Sequence, residues 1–86
     1  MERAYVLLNV EIDSGKEVLN ALEEIPDVKE GYRLYGVYDL IIRVEAETMQ
    51  EFKDSINRIR DIGKIRSTMP LLCINARAPW NHHQKR

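Results

Sequence analysis

Tyr35-Gly36-Val37-Tyr38-Asp39-Leu40-Ile41-Ile42-Arg43-Val44 places a glycine turn, an aromatic ring and a single carboxylate directly before a run of strand formers, close to the midpoint of the chain. Gly36 allows a positive backbone angle that a side chain would resist. From Asp39 onward, Leu40, Ile42 and Val44 alternate with Ile41 and Arg43, which is the period of a strand with one face buried. A turn in this position joins two halves of a chain, and these two halves look alike.

Before the turn, Ala4, Val6, Leu8 and Val10 share one parity, so the chain opens on a strand. Asp13-Ser14-Gly15 breaks that pattern, and Ser14 with Glu17 forms a capping-box signature. Val18, Leu22 and Ile25, with Ala21 beside them, give a helix over Lys16 to Glu24 one apolar face, and Pro26 stops it. Alternation returns less cleanly from Val28 to Tyr35, where Glu30 interrupts the parity of Val28, Tyr32 and Leu34. After the central strand, Thr48 and Glu51 repeat the capping box and Phe52, Ile56 and Ile59 repeat the stripe, with Asp54 and Arg58 at pairing distance on the wet face. A fourth strand spans Ile65 to Ile74 and contains Pro70, which cannot donate to a ladder and so belongs at a sheet edge or a bulge.

Ser14 and Thr48 lie 34 positions apart, as do Glu17 and Glu51, Val18 and Phe52, Leu22 and Ile56, and Val10 and Val44. The chain is therefore read as two βαβ halves. Right-handed crossovers interleave two such units into a four-stranded antiparallel sheet of order 4-1-3-2 with both helices on one face. The expected fold class is an α+β, ferredoxin-like βαββαβ sandwich, and its fourth strand lies at an edge, as Pro70 requires.

A length of 86 residues allows one domain with one modest core, assigned to residues 1–75, followed by a polar tail over 76–86. A formal charge of -1 gives no general pull toward nucleic acid. The apolar run ending at Val10 is too short to span a bilayer or serve as a signal peptide. A lone cysteine, Cys73, excludes an intrachain disulfide and fits a reducing compartment, so the expected location is cytoplasmic. Cys73 is expected to pack as a small apolar residue. The adjacent His82 and His83 sit in a basic tail and are read as solvated; no metal and no cofactor is implied.

No helix remains to cover the second face of the sheet, which is expected to carry Tyr5, Leu7, Tyr35, Ile41, Leu72 and Ile74. Such a face marks association, so at least a homodimer built sheet against sheet is expected, unless the tail folds over it with Trp80 as cover. Candidate chemistry is sparse. Asp39 is the one carboxylate at a tight turn, suited either to the backbone N–H groups of that turn or to a ligand. Tyr38 can stack on a ligand or pack at an interface, and a glycine turn at Gly36 exposes backbone N–H groups suited to a carboxylate. Ser67 and Thr68 offer hydroxyls with no general base nearby, so catalysis is not expected from them.

The Gly-x-Tyr-Asp sequence from Gly36 to Asp39, followed by a hydrophobic strand, a helix and the Ile65-Arg66-Ser67-Thr68 strand, resembles the effector-binding domain of the Lrp/AsnC transcriptional regulators. The likeness covers about Ala4 to Ile74. It implies a dimeric α/β-barrel pairing through the sheet, further assembly up to an octamer, and an amino acid or similar effector bound where dimers meet. Carried over by position, Gly36, Tyr38, Asp39, Ser67 and Thr68 would line that site, with Asp39 pairing with the effector's ammonium. That family's helix-turn-helix has no counterpart before the first strand, so the resemblance is to a stand-alone form that does not bind DNA directly and acts by co-assembly with full-length regulators. Pro70 departs from the family's usual strand. The alternatives are a small monooxygenase-like enzyme on the same paired fold, for which only Asn9, Arg43 and Thr68 stand on the inward face, and a structural assembly module without a ligand.

Overall fold

Strand β1 (Glu2–Val10) runs through the middle of the molecule and is followed by α1 (Gly15–Glu23), β2 (Val28–Arg33), β3 (Leu40–Ala46), α2 (Met49–Arg60) and β4 (Ile65–Leu72). These elements come from a computed structural model that describes residues 1–74. The tail expected over 76–86, with Trp80 and the His82-His83 pair, lies outside the described residues. The strands form one antiparallel sheet of order β2-β3-β1-β4, which is the expected 4-1-3-2 order read from the other edge. The fold is ferredoxin-like.

One face of the sheet makes the core. Ala4, Val6 and Leu8 of β1 and Leu40, Ile42 and Val44 of β3 are buried against Val18, Leu22 and Ile25 from the first half and Phe52, Ile56 and Ile59 from the second. Both helices therefore lie on the same side, as two βαβ units with the same handedness demand. Within the apolar stripe of α2, Ser55 is buried, and its hydroxyl donates to the Asp27 carboxylate at 2.6 Å. The Asp27 carbonyl in turn accepts from the Glu45 N–H at 2.9 Å, so the turn before β2 is fastened to both α2 and β3.

The two halves differ at their helix starts. Thr48 caps α2 as expected, its hydroxyl accepting from the Glu51 N–H at 3.1 Å. Ser14 does not cap α1: its φ is -104° and its ψ 2°, short of the extended geometry that aims an N-cap side chain at the helix. The hydroxyl instead makes a long contact with the Ile12 carbonyl at 3.5 Å. Asp13, in the left-handed region with φ 63°, sets up that different entry. The expected Asp54–Arg58 pair is also replaced, since Asp54 accepts from the Gln50 side chain at 3.0 Å.

Two bulges set which side chains reach the open face. Val28 pairs with Val44 but Glu30 pairs with Arg43, so Lys29 is the extra residue and the parity of β2 inverts after it. Glu30 and Tyr32 consequently point to the open side while Gly31 and Arg33 share the helix side of Ile42 and Leu40. On β4, Asn9 pairs with Ser67 and Val10 with Ile65, which leaves Arg66 as the extra residue. Leu71 and Met69 stand opposite Tyr5 and Leu7 on the open face. Leu72, expected there, pairs with Ala4 and belongs to the helix side. Tyr35 lies in the hairpin beyond β2, and Ile74 beyond the end of β4; both are exposed. Cys73, expected to pack, is exposed as well.

Pro70 has a simple account. The Cys73 N–H donates to the Arg3 carbonyl at 2.8 Å, and bonded pairs recur at every second position of an antiparallel ladder. Pro70 therefore faces Val6 in a non-bonded pair, where its missing N–H would have pointed off the sheet edge.

The unequal caps predict unequal costs. Thr48→Ala should destabilise the fold by about 1 kcal/mol, whereas Ser14→Ala should cost less than about 0.5 kcal/mol, measured as the difference in urea-unfolding free energy at neutral pH.

Candidate functional site

At one end of the sheet, three segments meet: the end of β1 at Val10, the hairpin between β2 and β3, and the start of β4. The Leu34 N–H donates to the Asp39 carbonyl at 2.8 Å, which closes the hairpin, and the Asp39 N–H donates to the Leu8 carbonyl at 2.9 Å. Regular pairing of β1 with β3 stops at Leu8 opposite Leu40. Two residues further along β1, the Asp39 Oδ2 accepts from the Val10 N–H at 2.8 Å, so a side chain continues the ladder where the β3 backbone has turned away. The carboxylate thus serves a backbone donor on another strand rather than in its own turn. Asp39 remains half-buried, and its Oδ1 makes no hydrogen bond among the described residues.

Tyr38 lies over the open face, half-buried, with its hydroxyl 3.4 Å from the Met69 sulfur on the far edge strand. Gly36 has a φ of 157° and nothing within 4 Å of where a side chain would begin, and Tyr35 and Val37 on either side are exposed. Ser67 joins this end of the sheet, its hydroxyl accepting from the Asn9 side chain at 3.2 Å. Thr68 does not. It is opposite Leu8 on the helix side and accepts from the Arg60 Nε at 3.2 Å. Asp39 and Ser67 therefore line one cleft, Tyr38 adjoins Asp39 but reaches to Met69, Gly36 stands in the exposed hairpin, and Thr68 is on the reverse of the sheet.

Two clefts open here. One, of about 440 Å³, is lined by Asn9, Val37, Asp39, Arg66 and Ser67. The other, of about 260 Å³, lies toward α1 and is lined by residues including Glu11, Asp13, Gly15, Arg33 and Leu34; Asp39 and Arg66 line it too. A further cleft of about 330 Å³ sits between α1 and the edge strand β2, over Gly31. Its lining mixes the apolar Leu19, Leu22, Val28 and Ile42 with the exposed Asn20, Glu23, Lys29 and Glu30. Arg66 and Asn9 were not among the candidate ligand residues. Asn9 was expected on the sheet face only under the enzyme alternative, and only the β1–β4 register could have found Arg66, because its position depends on the bulge opposite Asn9 and Val10.

The opposite end of the open face carries a charge ladder. Arg3 Nε lies 2.9 Å from Glu45 Oε2, Arg43 bonds the same oxygen, and Arg43 Nε reaches Glu30 Oε1 at 3.0 Å. Burial pushes the Glu45 carboxyl up, but the hydrogen bond and charge of Arg43, with Arg3 behind it, outweigh that and hold it below the ordinary glutamate value. The Arg43 guanidinium is raised, chiefly by its hydrogen bond to Glu30. Between this ladder and the Asp39 end, Tyr32, Ile41, Leu7 and Met69 form one apolar row across all four strands.

The family profile described as the Lrp/AsnC ligand binding domain matches residues 3–77. This chain belongs to the Lrp/AsnC ligand-binding domain family. The crystal structure of FFRP-DM1 is similar over 86% of this chain and 100% of its own, at 35% identity and a TM-score of 0.82. The structure of hypothetical protein PHS023 from Pyrococcus horikoshii is similar over 100% of this chain and 100% of its own, at 32% identity and a TM-score of 0.82. Escherichia coli AsnC shares the fold, with a TM-score of 0.79 at 23% identity, over 87% of this chain and 52% of its own. The HTH-type transcriptional regulator FL11 of Pyrococcus furiosus is 21% identical over 71 residues, and this chain spans 47% of its length. The Lrp/AsnC domain is a regulator module and not an enzyme, which removes the monooxygenase-like alternative. Among the described residues no helix is long and apolar enough to cross a membrane.

The ladder predicts an acid-sensitive limb. A carboxyl held low in the folded chain binds fewer protons there than in the unfolded chain, so its contribution is complete above the unfolded value of about 4.3 and is lost as pH falls through the lower folded value. Urea unfolding from pH 7 down to pH 3 should show Glu45→Gln losing less stability on acidification than the parent chain. A parallel loss in both would remove Glu45 from that limb.

Proposed function

We propose that this chain is a sensing and assembly domain that binds amino acids or related small metabolites beside Asp39, at the interface between subunits. The observation that carries this reading is the position of Asp39. It is a half-buried carboxylate with one oxygen committed to Val10, opening on a cleft at the edge of an uncovered apolar sheet face. Gly36, Tyr38 and Ser67 are its neighbours in the proposed site; Thr68 enters only through the strand it shares with Ser67.

Residues 1–75 form the functional unit. Its open face pairs with that of a second copy, which would bury the row of Tyr32, Ile41, Leu7 and Met69. Dimers assemble further, up to an octamer, through the hairpin end where Tyr35 and Val37 protrude. A metabolite seated between subunits is bound by the oligomer and not by the monomer, so it favours the oligomer by mass action. Both described helices are committed to the sheet, and neither is free to read a DNA groove. The effect on transcription then runs through co-assembly with full-length Lrp/AsnC regulators in the cytoplasm, with no direct contact to DNA or membrane.

Light scattering with thermal denaturation, with and without each of the twenty standard amino acids, tests this. At least one amino acid should raise the melting temperature or the mass, and Asp39→Asn, which keeps an acceptor for the Val10 N–H but loses the charge, should abolish that response. Leu7→Glu on the open face should weaken self-association on the order of 100-fold while the core stays intact. An assembly indifferent to every amino acid would leave a structural module, and a parent chain that is monomeric at micromolar concentration would refute the pairing.

A further inference from the structure

We propose that Met69 is a modification site: oxidation of its thioether to the sulfoxide by a hydroperoxide releases the sheet-to-sheet pair, and pairing in turn shields the sulfur. The inference rests on the reading of the open sheet face as a self-association surface and adds a chemical control over it.

The placement of Met69 follows from the ladder. It stands opposite Leu7 on the open side of β4, at one end of the apolar row of Tyr32, Ile41, Leu7 and Met69. No strand covers the outer flank of an edge strand, and Met69 is 42% exposed in the single protomer. A flexible thioether on an edge can swing off the sheet. Here the Tyr38 hydroxyl donates to the sulfur at 3.4 Å and holds it over the face. Sulfur carries two lone pairs, so a hydrogen bond to one leaves the other for an oxidant. The Met1 and Met49 sulfurs accept no hydrogen bond among the described residues, and Met49 lies in the first turn of α2, away from the open face.

The chemistry is a two-electron oxygen transfer. The sulfur lone pair attacks one oxygen of hydrogen peroxide, the S–O bond forms as the O–O bond breaks, and the departing hydroxide takes the proton of the transferred oxygen and leaves as water. Sulfur is oxidised, peroxide is reduced, and no further reactant is needed. A flexible apolar side chain becomes a polar one.

The position of that change gives it consequence. Unmodified Met69 offers apolar surface for a second copy to cover. A sulfoxide oxygen is hydrated while the face is open, and the single Tyr38 hydroxyl replaces only part of that hydration once the face is covered. In a two-fold pair each copy contributes its own Met69, so the penalty enters twice. At about tenfold for each oxygen, the pair should weaken on the order of 100-fold. Covered by its partner, the same sulfur is out of reach of peroxide, so dilute chains are oxidised and concentrated chains are protected.

The test uses the full chain carrying Cys73→Ser, because the exposed thiol also reacts with peroxide, and the Cys73 N–H bond to the Arg3 carbonyl does not depend on the side chain. Sedimentation and peptide mass mapping follow the pair and each methionine after treatment with hydrogen peroxide. Met69 should gain one oxygen, the dissociation constant should rise on the order of 100-fold, and methionine sulfoxide reductases should restore it. Met69→Leu keeps the apolar volume and should pair as tightly as the parent and ignore peroxide, whereas Met69→Gln should weaken pairing to a similar extent with no oxidant. Oxidation of Met69 should slow as protein concentration rises through the dissociation constant, while that of Met49 stays constant. A pair that survives full oxidation of Met69, a Met69→Leu chain that still dissociates in peroxide, or a Met69 that stays unoxidised at dilution or reacts at a rate indifferent to concentration would each overturn the switch while leaving the pairing intact. An untreated chain that is monomeric at micromolar concentration would remove the pairing and the switch with it.

Discussion

Strand β1 has a neighbour on each side, so each of its N–H and C=O groups must be matched by β3 or by β4. An unmatched donor inside a sheet costs about as much as a lost hydrogen bond, and a central strand has no solvent edge on which to discharge it. The matching fails first at Val10, where β3 has already turned into its hairpin and β4 carries a bulge. Asp39 resolves the first failure by lending a carboxylate oxygen to Val10, and the second leaves Arg66 standing out of the ladder. The two opposite charges of the candidate site are thus by-products of ending a central strand. A binding site needs polar groups in a place that is partly dry, and the place where a buried ladder runs out supplies them.

Much of this fold was legible in the sequence because the signals were redundant. Parity in β1 and β3, a helical stripe on each of α1 and α2, and the 34-residue offset between the halves all demand the same topology, and Pro70 agrees with it. Where the sequence reading erred, it relied on one signal. Ser14 and Glu17 match a capping box in letters, but the left-handed Asp13 changes the entry angle and the hydroxyl never faces the helix. Leu72 was expected on the open face, but the residue inserted at Arg66 reverses the alternation along β4 relative to Ile65 and puts Leu72 opposite Ala4.

The same limit governs the site. Asp39 and its loop stood out because a carboxylate in a glycine turn is a local feature. Its partner on Val10 lies 29 positions away, and nothing local distinguishes Arg66 from the other surface arginines. Ser67 and Thr68 are neighbours in sequence and yet face opposite sides, one toward Asn9 and the other toward Arg60. Which of two adjacent hydroxyls belongs to a site on a strand is a question of phase, and phase is set by pairing.

Both edges of the sheet are poor templates for another strand. Edge strand β2 carries a bulge at Lys29 and exposed charges at Glu30 and Arg33, and edge strand β4 carries Pro70 with its absent donor facing outward. Association by strand addition is therefore disfavoured on both sides, and the uncovered face is where apolar area can still be removed from water. That face is graded along the strands. The ladder of Arg3, Glu45, Arg43 and Glu30 occupies one end, the row of Tyr32, Ile41, Leu7 and Met69 the middle, and the Asn9–Ser67 bond the other end beside Asp39. A partner that covered the apolar row in the wrong register would strip water from the ladder without replacing it, which costs more than the row returns. In the proposed pairing the apolar row would supply the attraction and the ladder would restrict the register, and a register that satisfied both would fix what is brought up against the Asp39 end.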